Sequence, residues 1–305
     1  MMSVIRANLL QLTCVIMAVS VGSCGVEHTM KFDKIEYLIS ELPEAPDVLT
    51  VEANGLARYE LHSNETTPEH PEIGTYQTTL SVAEIQSLEK LLDAPPFKSL
   101  PDHWGKVRSG ERSRRIRVIA RSEKSEKLVG SRAPVDPAMR RVIDALDQVI
   151  LKVKSHPEQT LRIKLIQVTV SPGKMLTAVL SLSNSGSELL SCRNPSNMMG
   201  GTDCQLSFQA WPDKPRSDLR PEDLTIVNPT DVHPLDSSGR PSDITPFIEV
   251  APGATISFRV HSMLVVRNTG RYVIRVFYAN SAKEVSGRRV LVGQLFSETV
   301  KVNIP

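Results

Sequence analysis

The second half of the sequence is built from short segments in which apolar and polar residues alternate, and this period of two constrains the fold more than any other feature. Alternation places every second side chain on one face of a β-strand. The apolar positions are Leu176, Ala178, Leu180 and Leu182; Leu206, Phe208 and Ala210; Ile256, Phe258 and Val260; Tyr272, Ile274, Val276 and Tyr278; and Val300, Val302 and Ile304. Several such strands separated by turns predict an all-β sandwich of two sheets over residues 157–305.

The first half mixes strand and helix signals. Asn54-Gly55, between two alternating runs, predicts a β-hairpin. The limits of two helices are marked by the capping box of Ser81 and Glu84, by the break at Pro95-Pro96, and by the N-cap pair Asp136-Pro137. The order of strands, helix, strands and helix predicts an α+β domain with an antiparallel sheet and two helices on one face, over residues 31–156.

The boundary between the two predicted domains is His156-Pro157. No helical period follows it. In the next strand, LRIKLIQVTVS, the alternation changes phase near Leu165-Ile166, which indicates a β-bulge or a change of sheet.

The second half resembles bacterial immunoglobulin-like modules, including the sandwich of intracellular proteinase inhibitors from bacilli. The resemblance rests on Pro252-Gly253 before one strand and on Gly270-Arg271-Tyr272 at the start of the next. It implies that Tyr272 forms a tyrosine corner, with its hydroxyl bonded back to the preceding turn. Because this sandwich carries many unrelated activities, the resemblance predicts a fold and only raises protease inhibition as an alternative function.

The N-terminus has the pattern of an export signal. Arg6 is followed by 13 uncharged residues, Leu9 to Val21, which are too few to span a bilayer as a helix. Val21-Gly22-Ser23-Cys24 is similar to the lipobox of bacterial lipoproteins. That resemblance implies a signal peptide over 1–23, cleavage before Cys24, lipid on Cys24, a tether over 24–30 and sorting to the outer membrane. A plain secretory signal or an uncleaved anchor are the alternatives.

Four cysteines are present, and Cys14 lies in the predicted signal peptide. If Cys24 carries lipid, Cys192 and Cys204 remain. In an exported protein, a pair so close in sequence is better explained by a disulfide than by a metal site.

Composition argues against some classes of function. Lys and Arg total 36 against 34 Asp and Glu, and aromatic residues are few, which disfavours nucleic-acid binding. No common catalytic, phosphate-binding or cofactor motif occurs, so we predict no cofactor and no metal. The loop around Glu69, His70 and Glu72 and the pair Asp102-His103 are interpreted as a solvated loop and a turn.

Two segments are candidates for binding. Arg112, Arg114 and Arg115 predict contact with anionic head groups, against the alternative of an ordinary strand with outward arginines. Met198 and Met199, in a loop closed by the predicted disulfide, predict adaptable apolar contact with a partner, against the alternative that they pack over the end of the sandwich.

These observations predict a cell-envelope lipoprotein, non-catalytic, held to the membrane through its lipid and binding an envelope protein or glycan. Two alternatives stay open at this point: a protease-inhibitor-like module and an envelope hydrolase with an unrecognised site.

Overall fold

A computed structural model of the chain describes residues 32–40, 46–64, 72–104, 113–120, 123–130, 135–198, 203–235, 245–266 and 268–305. Strands and helices up to residue 156 are β1 Lys34–Ser40, β2 Asp47–Glu52, β3 Leu56–Leu61, β4 Glu72–Thr79, α1 Val82–Asp93, α2 Pro95–Lys98, β5 His103–Trp104, β6 Ser113–Ala120, β7 Glu123–Gly130 and α3 Pro137–Lys154. Local signals account for them: Gly55, with a φ of 91°, turns the β2–β3 hairpin, and the Ser81–Glu84 capping box starts α1.

The remaining strands are β8 Pro157–Val170, β9 Met175–Ser183, β10 Leu190–Arg193, β11 Cys204–Pro212, β12 Thr225–Val227, β13 Asp231–Leu235, β14 Phe247–Val250, β15 Thr255–Met263, β16 Gly270–Asn280, β17 Glu284–Val285, β18 Arg288–Arg289, β19 Gly293–Phe296 and β20 Val300–Ile304. The predicted phase change in β8 is confirmed as a register shift between Leu165 and Gln167. It leaves Ile166 exposed.

One eleven-stranded sheet runs through both halves, in the order β13-β15-β9-β8-β4-β3-β2-β1-β6-β7-β5. It is antiparallel except for the short β5–β7 pair. β8 pairs with β4 on one side and with β9 on the other, so the sheet crosses the boundary predicted at His156-Pro157 without a break. A second antiparallel sheet has the order β12-β11-β16-β19, with β20 also beside β16.

The two faces of the large sheet are covered by different elements. α3 packs over β1 to β4, where the Tyr37 hydroxyl donates to Asp147 at 3.0 Å and the Lys154 ammonium lies 5.2 Å from the centre of the Tyr59 ring. On the opposite face, β8, β9 and β15 share one apolar core with β11, β16 and β20 of the second sheet. The predicted β-rich, antiparallel character is therefore confirmed.

The hydrogen bond predicted for Tyr272 is also confirmed. Its hydroxyl donates to the carbonyl oxygen of Asn268 at 3.1 Å, four residues before it. The bond fixes the turn at the start of β16, and the ring itself is buried in the shared core. Among the residues described, no helix is both long and apolar enough to span a bilayer.

Candidate functional site

A cleft of about 570 Å³ lies where the open face of the large sheet meets the second half of the chain. Its floor is the side of β2, β3 and β4 that the helices leave uncovered. Its wall is made by β10 and by the segment 283–292, which contains the β17–β18 hairpin. No single stretch of sequence supplies this cleft, because its residues come from six separated segments: 46–48, 58–62, 74–75, 158–159, 188–191 and 283–292.

Three titratable side chains of the floor come from alternate positions at the end of β3: Arg58, Glu60 and His62. The alternation that buries Ala57, Tyr59 and Leu61 under the helices turns these three toward the cleft. Glu60 lies between the other two side chains, with one oxygen 3.5 Å from Arg58 Nε and the other 3.7 Å from His62 Nε2.

His62 is held by its neighbours on the chain. Its Nδ1 is 2.9 Å from the carbonyl oxygen of Pro46, so Nδ1 carries a proton and donates it. Its backbone N–H donates to Asp47 Oδ1 at 2.8 Å. Burial raises the pKa of the Asp47 carboxyl, although the hydrogen bond from His62 acts in the other direction. These contacts orient the imidazole ring so that Nε2 faces Glu60.

The back of the floor depends on close packing of β4 against β8. Gly74 has a φ of 154°, and a Cβ there would lie 2.1 Å from the Gln159 carbonyl oxygen, so only glycine fits. Next to it the β4–β8 register shifts at Thr75. Thr75 is 9% exposed, and its hydroxyl has no hydrogen-bond partner in the described part of the chain.

The wall is anchored by Asn280. Its side-chain amide donates to the carbonyl oxygens of Ala282, at 2.9 Å, and Leu291, at 2.6 Å, at the two ends of the hairpin segment. The N–H of Leu291 donates in turn to Ser191 of β10 at 2.9 Å. Ser286 and Gly287 both have positive φ, as the tight turn of such a hairpin requires. The hairpin is thus fixed at its base beside the cleft.

The cleft can bind polar and charged groups. Besides the three residues of β3, its lining includes Glu158, Glu188, Lys283 and Arg289. The ring of His62 contacts Pro46 and Glu60, neither of which is a hydroxyl or thiol nucleophile. Within the described ranges, no three His, Cys, Asp or Glu side chains are grouped as a metal site.

The predicted disulfide is not formed in the structure, where Cys192 and Cys204 are free thiols. Both are buried in the shared core, so each packs as a small apolar side chain. Burial raises the pKa of the Cys192 thiol to about 12, despite its hydrogen bond with Tyr278. Neither residue lines the cleft.

The methionine loop is also corrected in part. Met198 is 2% exposed and belongs to the core, so it cannot supply the predicted exposed contact to a partner. The three residues before it, 195–197, form a short 3-10 helix that ends at Met198. Met199 and Cys24 lie outside the described residues.

The predicted arginine patch is not brought together. Arg114 and Arg115 are adjacent in β6 and therefore point to opposite faces of the sheet. Arg114 pairs with Asp147 of α3 at 3.2 Å, and Arg115 pairs with Glu126 of β7 at 3.5 Å. Each charge is already partnered inside the protein. Arg112 lies outside the described residues.

In the two histidine-containing segments, the acidic residues that the structure describes have partners within the protein. Glu72 accepts hydrogen bonds from Tyr76, at 3.3 Å, and Ser185, at 2.7 Å, while Glu69 and His70 lie outside the described residues. Asp102 pairs with Lys127 at 2.9 Å, and His103 begins the short strand β5 where a turn was predicted.

The residues of the cleft were missed by the sequence analysis. A local signal does exist in β3, where Arg58, Glu60 and His62 occupy the polar side of an otherwise ordinary alternating strand. No comparable signal identifies Glu158, Glu188 or the hairpin, because only the tertiary fold brings them to β3.

No family model and no curated protein matches the chain. Three solved structures share a partial likeness, each over 47% of this chain. They are AvmM, which catalyses macrocyclization in alchivemycin A biosynthesis (14% identity, 87% of that chain, TM-score 0.26), the archaellum periplasmic stator protein FlaG from Sulfolobus acidocaldarius (10%, 99%, 0.22), and beta-glucosidase 3B from Thermotoga neapolitana (12%, 17%, 0.20). Likeness at this level assigns the chain neither a family nor a function.

Proposed function

We propose that the protein is a bacterial envelope lipoprotein, anchored in the outer membrane through lipid on Cys24, which binds a polar partner in the cleft beside β3. The partner is an envelope protein or a glycan. We further propose that the second half is an immunoglobulin-like sandwich, with Tyr272 as its tyrosine corner and Pro252-Gly253 as the turn before β15.

The observation that carries the binding function is the cleft itself. A concave site of about 570 Å³ has the size range of ligand sites in proteins. Its wall is held in place by the partly buried hydrogen bonds of Asn280 before any ligand arrives. A preformed site lowers the ordering cost of binding.

Two measurements test the proposal. An intact mass spectrum of the native protein should show an acylated Cys24 as its first residue. An unmodified Cys24 would contradict the proposed lipid anchor.

For the cleft, oligosaccharides and short peptides are screened for binding to the full protein. Arg58→Gln should weaken a cleft ligand about tenfold, whereas Arg220→Gln, at an exposed arginine away from the cleft, should leave binding unchanged. Equal effects of both substitutions would place binding elsewhere.

An envelope hydrolase is a second candidate, favoured by one observation. The cleft brings His62 and Glu60 within 3.7 Å of each other, with Nδ1 of His62 already bonded to Pro46, so Nε2 is the nitrogen that would exchange protons. Hydrolysis of a glycan or peptide bond that disappears in His62→Gln would establish this candidate. Binding of a glycan or peptide to the cleft without hydrolysis would instead support a non-catalytic binding protein.

A further inference from the structure

The cleft carries four charged side chains that have no ion pair within the described structure. They are Glu158, Glu188, Lys283 and Arg289. Most other charges near the cleft are neutralised inside the protein, as Arg58 is by Glu60 and the neighbouring Arg288 is by Glu249, at 2.8 Å. The four unpaired charges are therefore free to meet charges on a ligand.

These four charges divide by sign between two parts of the lining: the acidic residues come from β8 and the segment before β10, and the basic residues come from the hairpin segment 283–292. The N–H of Glu188 donates to the carbonyl oxygen of Glu158 at 2.8 Å, which makes the two acidic residues neighbours. On the hairpin segment, the N–H of Val290 donates to the carbonyl oxygen of Lys283 at 3.0 Å, so the backbone of Lys283 lies next to Val290, the residue after Arg289. We call the first pair the acidic rim and the second the basic rim.

From this arrangement we infer that the cleft binds a short peptide with free ends, its ammonium group at the acidic rim and its carboxylate at the basic rim. The inference rests on the proposed function, because it names the chemistry of the ligand for the same cleft. A ligand with opposite charges at its two ends satisfies both rims. An uncharged glycan would cover four charges without pairing them, which costs free energy.

The size and the floor of the cleft suit a peptide. A volume of about 570 Å³ lies in the range of ligand sites in proteins, so the cleft has room for a short peptide. The floor presents donors and acceptors at Arg58, Glu60 and His62.

The experiment measures binding of tetra-alanine to the full protein by calorimetry at low salt, in four forms: free, N-acetylated, C-amidated and capped at both ends. We expect each cap to weaken binding about threefold to fivefold, as for pairs near a protein surface. In the double variant Lys283→Gln/Arg289→Gln, amidation of the peptide's C-terminus should no longer change its affinity. In the double variant Glu158→Gln/Glu188→Gln, acetylation of the peptide's N-terminus should no longer change its affinity. Arg288→Gln, in the same hairpin but outside the cleft lining, is the matched control and should keep the wild-type pattern.

The outcomes separate the inference from the proposed function. If free and doubly capped peptides bind equally, or if an uncharged oligosaccharide binds and tetra-alanine does not, the peptide inference is wrong while a binding cleft stands. If no peptide and no glycan binds to the cleft, the proposed function fails as well. Peptide binding that is insensitive to both double substitutions would place the charged contacts elsewhere and overturn the inference.

Discussion

The side-chain amide of Asn64 holds both backbone groups of Phe296, 232 residues away in sequence. Its Nδ2 donates to the Phe296 carbonyl oxygen at 2.9 Å, and its Oδ1 accepts from the Phe296 N–H at 2.8 Å. Both bonds are buried. These bonds connect the end of β3 to β19, at the corner where the floor of the cleft meets its wall. At the same corner, the N–H of Gln294 donates to the backbone carbonyl oxygen of His62 at 2.7 Å.

Replacing Asn64 with alanine should therefore be costly. The substitution leaves a buried N–H and a buried carbonyl without partners, and each unsatisfied group costs about 1–3 kcal/mol. We expect Asn64→Ala to lower the free energy of unfolding by about 2–4 kcal/mol in urea denaturation. Asn303→Ala is the matched control, since Asn303 is exposed in β20 and should change little. Similar losses for both variants would contradict the role assigned to Asn64.

A second prediction concerns Gly74, in the floor of the cleft. In Gly74→Ala the new methyl group would lie 2.1 Å from the Gln159 carbonyl oxygen and 2.7 Å from Thr160 Cα, both parts of the backbone. Separating β4 from β8 is the only relief, so we expect a loss of more than about 3 kcal/mol or failure to fold. Gly173→Ala, where the nearest atom is the Ser171 hydroxyl oxygen at 4.0 Å, should be tolerated. Thermal unfolding of both variants tests this, and a stable Gly74→Ala protein would show that the two strands are not so closely packed.

Much of the local structure could be predicted because its causes are local. Asn54-Gly55 turns a hairpin, Ser81 and Glu84 cap a helix, and alternation sets which side of β3 is buried, whatever the rest of the chain does. The pairing of β4 with β8 could not be predicted in this way. The register depends on the close approach of the two backbones at Gly74. The two strands are separated by three helices along the chain, and nothing in the sequence of either strand specifies the other as its partner.

The difference between local and long-range causes also decides which parts of the cleft follow from the sequence. Arg58 and Glu60 of β3 and the adjacent His62 share a face through alternation alone, so their proximity follows from the sequence. The acidic and basic rims are brought to them by long-range pairing and by the hairpin anchored at Asn280. Burial of Met198, Cys192 and Cys204 likewise depends on how the large sheet packs against the second sheet. The local sequence around these residues does not encode that packing.

The ion pair between α1 and α3 predicts a dependence of stability on pH. Lys152 Nζ lies 2.7 Å from one Glu84 oxygen and 2.8 Å from the other. The hydrogen bond from Lys152, with those from Ser81, lowers the pKa of Glu84 from 4.5 to about 2. Because the folded pKa is depressed, this stabilisation is present above about pH 4.5 and is lost as the pH falls toward 2.

Glu84→Gln should remove that dependence while keeping the capping box, since glutamine also accepts from Ser81. The Glu84 side chain is 39% exposed, so solvent screening limits the effect to less than about 1 kcal/mol. Urea denaturation between pH 2 and pH 6 measures it. Glu123→Gln, at an exposed glutamate at the start of β7, is the control and should leave the pH profile as in the wild type. A wild-type profile in Glu84→Gln would mean that another group titrates there.

The two core thiols give the sharpest difference between what the sequence predicts and what the structure shows. With its pKa raised to about 12 from 9.0, the Cys192 thiol has roughly 1000-fold less thiolate at pH 8, and burial also bars reagents from both Cys192 and Cys204. We therefore expect neither to be alkylated in the native protein and both to be alkylated in denaturant without reductant. Peptide mapping by mass spectrometry reads each residue separately, and Ser217→Cys, at an exposed position, provides a reactive control. Recovery of a linked Cys192–Cys204 peptide before reduction would instead establish the disulfide that export through the envelope predicts.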